Sequence, residues 1–103
     1  QITSQTTPVT INTNNGIITT VNISLAANAA DYFAVNNTNV SSGDQIFAMI
    51  NGKSGSPQSG LLVPIVSIYG IVDNSFNIII RNPHSVDTCT GVYDISFQVI
   101  KHT

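Results

Sequence analysis

Residues 93–99 alternate without a break. Tyr93, Ile95, Phe97 and Val99 fall on one phase, and Asp94, Ser96 and Gln98 on the other. Successive side chains of a strand point to opposite faces, so the pattern describes a strand with one face in a core and one in water. A second segment keeps the same period. Phe76, Ile78 and Ile80 alternate with Asn77, Ile79 and Arg81, and the run stops at Asn82-Pro83, because the residue before proline favours extended or turn geometry. Composition extends this to the whole chain. Ile and Val number 25 of the 103 residues and Leu only 3. Branching at Cβ restricts χ1 in a way that suits a pleated surface, so the ratio argues for an all-β protein.

Turn signals divide the rest. Asn14-Asn15-Gly16 has the chemistry of a type I′ hairpin, which predicts a first strand over 8–13 and a second over 16–25. Residues 26–30 are the only local helix signal and are too few to hold a helix alone. A third strand is expected through Tyr32-Phe33-Ala34-Val35. The polar stretch 36–44 then forms a connection, with Ser42-Gly43-Asp44 as its breaker and Val40 as an apolar plug beneath it. Residues 45–51 are apolar on both phases, which predicts a central strand covered on two sides. Residues 52–60 are rich in Gly and Ser and read as the most flexible segment. A strand over 61–69 contains Pro64, which has no N–H to give a ladder, so that end belongs at a sheet edge or bulge. Gly70 and Asp73-Asn74 bound the next turn. About seven to eight strands at this spacing predict a single antiparallel β-sandwich, with a jelly-roll-like two-sheet fold as the other topology. One domain is expected: an N-terminal arm or tail over 1–8 and the sandwich over 9–103.

Charge is the second constraint. Only eight residues are charged and none is Glu, whereas a soluble domain usually devotes about a quarter of its residues to charge. Thr, Ser and Asn, at 11, 11 and 12, supply the polar surface instead. The 42% apolar content and net charge of −2 argue against intrinsic disorder. Lys53, Arg81 and Lys101 are the only basic residues, too few to neutralise many phosphates, so nucleic acid is not an expected partner. No stretch is long and apolar enough for a helical membrane span. Cys89 is the lone cysteine, which excludes an internal disulfide and a cysteine zinc site and leaves it as a small, partly buried apolar residue. A chain that starts at Gln1 is expected to be a processed product or a piece of something larger.

Chemistry has little to work with. His84, Ser85 and Asp87 supply the residue types of a triad, but no nucleophile elbow or glycine-rich oxyanion turn accompanies them. Asp31, Asp44, Asp73, Asp87 and Asp94 lack the closely spaced ligands of a calcium loop and read as turn-forming residues. The same aspartates would have to serve any glycosidase, and no Trp is present to line its groove. Three glycosylation sequons start at Asn22, Asn36 and Asn39 and matter only in a glycosylating compartment.

The order of segments carries a resemblance. Gly16-Ile17-Ile18-Thr19-Thr20 is followed by an Ala-rich stretch, by Phe33-Ala34-Val35-Asn36-Asn37 and by Val40-Ser41-Ser42-Gly43-Asp44. Then come Gly60-Leu61-Leu62-Val63-Pro64-Ile65-Val66, Ser75-Phe76-Asn77-Ile78-Ile79-Ile80-Arg81-Asn82 and Thr90-Gly91-Val92-Tyr93-Asp94-Ile95-Ser96-Phe97-Gln98-Val99. Over roughly residues 14–100 this resembles the small β-sandwich domains of virion structural proteins, of the capsid-associated and fibre types found in large DNA viruses and tailed phages. It departs from them at Leu61-Leu62-Val63 before Pro64 and at Cys89, where small residues are usual. The resemblance implies a virion-surface component, often oligomeric, and carries no functional residue with it, because its motifs are strand patterns. The expectation is therefore a non-enzymatic structural protein with no catalytic, cofactor or metal residues. Its expected partners are copies of itself, a trimer among the oligomers, other capsid or filament proteins, and a host-surface glycan. A cell-surface filament or adhesin subunit using strand addition, and a carbohydrate-binding sandwich, are the alternatives.

Overall fold

The computed structural model describes residues 6–54 and 64–101. In chain order its strands are β1 (Val9–Thr10), β2 (Asn15–Thr19), β3 (Ile23–Leu25), β4 (Ala30–Asn36), β5 (Gln45–Ser54), β6 (Ile65–Val72), β7 (Ser75–Arg81) and β8 (Cys89–Ile100). They form two packed four-stranded sheets, the β-sandwich that the Ile and Val content and the alternation predict. One sheet has the order β1-β4-β7-β6 and is antiparallel except for β1, which runs parallel to β4 with Val9 opposite Val35. In the other sheet β8 is the spine. β5 lies along one side of it, and β2 followed by β3 along the other. The sequence leaves the sandwich topology open, and this strand order decides it.

The period-2 segments define the core. Tyr93, Ile95, Phe97 and Val99 of β8 face Phe76, Ile78 and Ile80 of β7, and all are buried. Phe76 and Phe97 meet across the sheets with ring centroids 5.9 Å apart. Phe33 and Val35 from β4, Ile18, Ile23 and Leu25 from β2 and β3, and Cys89 complete the same apolar cluster. Val40 is 1% exposed under the 37–44 connection, where the sequence places an apolar plug. Pro64 lies just before β6, which is an edge strand, so its missing N–H breaks no central ladder. Asn74 closes the β6–β7 hairpin in the left-handed conformation with φ 70°, and Gly70, at φ 67°, sits in the irregular pairing between Tyr69 and Val72.

Several local expectations are corrected. Asn14-Asn15-Gly16 is not a hairpin turn. β1 joins one sheet and β2 the other, so this segment carries the chain across the sandwich. Gly16 is needed for closeness rather than for a left-handed turn: a Cβ there would stand 2.8 Å from Ile11 Cδ1 and 3.1 Å from Phe97 Cε1. The expected strand over 16–25 is split. Between the pairs Thr19–Asp94 and Ile23–Gly91, the β2–β3 side holds one residue more than β8, which is a bulge. Buried Thr20 repairs the ladder there, its Oγ1 accepting the Tyr93 N–H at 3.0 Å and its N–H donating to Tyr93 O at 2.9 Å. Residues 26–30 make a tight turn with Asn28 at φ 61°. β5 is not a central strand: among the described residues it pairs only with β8. Residues 1–5 of the expected arm, 55–60 of the Gly/Ser segment, 61–63 of the expected strand and His102 lie outside the described residues.

Candidate interaction surfaces

The polar residues that chemistry would need are occupied in holding loops together. The Asp44 side chain is 1% exposed, accepts the Ser41 N–H at 2.9 Å and meets Lys101 Nζ at 2.6 Å. Lys101 also donates to Asn39 O at 2.5 Å, so the end of β8 is tied to the β4–β5 connection. Asp73 accepts the Ser42 N–H at 2.9 Å, and Asp94 accepts the Thr19 hydroxyl at 2.8 Å across β2 and β8. These are the loop and strand tasks expected of Asx residues. Among the described residues, no three His, Cys, Asp or Glu side chains are grouped to hold a metal ion.

His84, Ser85 and Asp87 do not form a hydrogen-bonded triad. His84 gives its backbone N–H to Asn82 Oδ1 at 2.9 Å, while its Nε2 is enclosed with no partner. It is part-buried, and its carbonyl accepts the Asn28 N–H at 3.0 Å. Asn82, read from sequence only as a strand stop, is fully buried and is the hub of this end of the sandwich. Its Nδ2 reaches Leu25 O at 3.0 Å, Ala26 O at 3.2 Å and Asp87 O at 2.7 Å. Asn37 does the same at the other end, with Nδ2 on Thr13 O at 2.6 Å and Oδ1 accepting Asn39 N–H at 2.9 Å. Cys89 is fully buried in the core, deeper than the partly buried position its residue type predicts. Burial, and secondarily the electrostatic effect of Cys89, hold the Tyr93 hydroxyl above its ordinary pKa. Asn22, Asn36 and Asn39, the sequon residues, are all exposed.

The informative surfaces are the outward faces of the two sheets. On the β5–β8–β2 sheet the register sets Asn15, Gln98 and Phe47 in one row and Ile17, Ser96 and Met49 in the next. Phe47 is 59% exposed, Met49 62%, Ile17 57% and Ile100, on the same phase of β8, 43%. Between them lies an open hollow of about 410 Å³ lined by Asn15, Phe47, Met49, Ser96 and Gln98. On the opposite sheet the exposed Tyr32 and Tyr69 meet edge to face, with centroids 6.1 Å apart, above the row that holds Ile79. The fold brings these two tyrosines together from β4 and β6. The exposure of Phe47 and Met49 is not legible in the sequence. They share a segment with Ile46 and Ile50, and apolar residues on both phases do not say which phase is left uncovered. Comparison with family models, with curated proteins and with solved structures finds no match to this chain.

Proposed function

We propose that this domain is a non-enzymatic structural protein of a virion surface, a capsid-associated, decoration or fibre component that acts by self-assembly and docking on partner subunits. The observation that carries the reading is the poverty of charge on the outward strand faces. Phe47, Met49, Ile17, Ser96 and Gln98 fill one face, and Tyr32, Ile79, Asn77 and Tyr69 much of the other. Charged residues are depleted at interface cores, whereas a lone soluble domain relies on charge to stay apart from its copies. The placement on a virion comes from the segment resemblance, and the assembly role from the faces. The test is the native mass of the purified chain together with its location by antibody labelling of particles. The expected result is a defined oligomer that labels the particle surface. A chain that stays monomeric at every concentration and labels no particle rejects the reading.

A second reading, a cell-surface filament subunit joined by strand addition, is favoured by one observation. β5 is ten residues long and, among the described residues, has a hydrogen-bonded neighbour on one side only. Labelling of filaments in place of particles selects this alternative.

A further inference from the structure

Resting on the assembly reading, we propose that the outer face of β5, β8 and β2 is a two-fold self-docking surface whose occupant is the same face of a second copy of this chain. Three observations support a copy over a different partner. The first is extent. Ile17, Phe47, Met49 and Ile100 are each between 43% and 62% exposed. At that exposure each leaves on the order of 100 Å² in water, roughly 400 Å² of apolar surface in one patch. A standard interface covers about 800 Å² per partner, of which about 56–65% is apolar, so this patch approaches the apolar part of one complete half-interface. The largest apolar patch on a typical monomer is about 300–600 Å² and is often functional, and this one falls within that range.

The second observation is charge. A two-fold axis brings every residue near it close to its own image, so any charge at the centre meets a like charge. Here β2 and residues 45–51 of β5 contain no charged residue, and β8 carries a single charge, Asp94. Asp94 lies at the margin and is occupied by the Thr19 hydroxyl. At the other end Asp44 and Lys101 neutralise each other at 2.6 Å. A partner of different sequence would be expected to use complementary charge for steering and register, and among the described residues the face offers only Asp94 at its margin. The third is shape. The exposed Phe47 and Met49 line the β5 side of a hollow whose lining also includes Asn15, Ser96 and Gln98. A half-turn places these two side chains of one copy over the hollow of the other, and the hollow's amide and hydroxyl groups remain able to pair with each other.

The test is sedimentation velocity of the 103-residue chain and of Phe47→Lys, Met49→Lys and, on the opposite face, Tyr32→Lys. All three side chains are more than half exposed, so folding is retained, checked by far-UV circular dichroism. The expected result is a wild-type dimer whose dissociation constant rises at least 100-fold in Phe47→Lys and in Met49→Lys and less than threefold in Tyr32→Lys. A wild-type oligomer that survives both β5 substitutions overturns this surface while leaving the assembly reading standing, and its loss in Tyr32→Lys moves the contact to the tyrosine face. A wild-type chain that is monomeric at millimolar concentration overturns the self-docking surface and self-assembly together.

Discussion

Asn82 offers the sharpest test of how this sandwich is closed. It has no exposed surface, and its two amide hydrogens are shared among the carbonyls of Leu25, Ala26 and Asp87 at 3.0, 3.2 and 2.7 Å. Its Oδ1 takes the His84 N–H. Replacement by Ala removes the side-chain donor from all three acceptors, of which Leu25 O is the most enclosed. An unsatisfied buried polar group costs about 1–3 kcal/mol, and with the lost packing the Asn82→Ala change should cost about 2–4 kcal/mol. Asn82→Asp keeps the shape and reverses the polarity. A carboxylate would face three carbonyl oxygens in a buried site, which raises its pKa above the ordinary carboxylate range. A raised folded-state pKa gives a contribution that is present below the unfolded value and lost as pH rises. The penalty of Asn82→Asp relative to wild type should therefore be about 3–5 kcal/mol at pH 7, shrink as pH falls from the raised folded-state value toward the unfolded value of about 4, and level off below it, where the protonated acid has regained a donor. Urea unfolding followed by tyrosine fluorescence at pH 7 and pH 3 reads both quantities. An Asn82→Ala loss under about 0.5 kcal/mol, or an Asn82→Asp penalty that does not change with pH, refutes the hub.

Three further outcomes are expected. Lys101→Met leaves the buried Asp44 carboxylate with the Ser41 N–H; because the lysine side chain is 42% exposed, the loss should be only about 1–2 kcal/mol by chemical denaturation at pH 7. Gly70→Ala puts a Cβ on a residue at φ 67° and 2.9 Å from the movable Asn77 amide, so it should lower stability by about 1–2 kcal/mol, measured as a fall in the urea midpoint at unchanged slope. Burial first, and Cys89 second, raise the Tyr93 pKa, so the neutral phenol favours the fold below the ordinary tyrosine pKa and that contribution is lost as pH rises beyond about 10. Stability measured from pH 9 to 11.5 should fall more steeply in wild type than in Tyr93→Phe.

Much of the strand content is legible because its signal is local. Tyr93, Ile95, Phe97 and Val99 are buried as their alternation requires, and so are Phe76, Ile78 and Ile80. Val40 and Pro64 are placed correctly for reasons that involve only their own chemistry, an apolar side chain under a polar loop and a missing N–H. The errors fall where one local signal serves two purposes. Gly16 has turn chemistry beside Asn15, but the position demands glycine because Ile11 and Phe97 crowd it. Asn82 has the look of a strand terminator, and its side chain satisfies carbonyls up to 57 residues away.

The amino-acid sequence by itself determined that the chain forms strands, which phase of the clearest strands turns inward, and that almost no charge is left for the outside. These follow from side-chain branching and from the i, i+2 geometry of an extended backbone. The tertiary structure alone decided which strands are neighbours: Thr19 meets Asp94 across 75 residues, and among the described residues β5 pairs on one side only, with Phe47 and Met49 uncovered. Pairing is settled by the combined packing of both sheets, so no window along the chain contains it. For the same reason the apolar face proposed to meet a second copy emerges only once β2, β5 and β8 lie side by side.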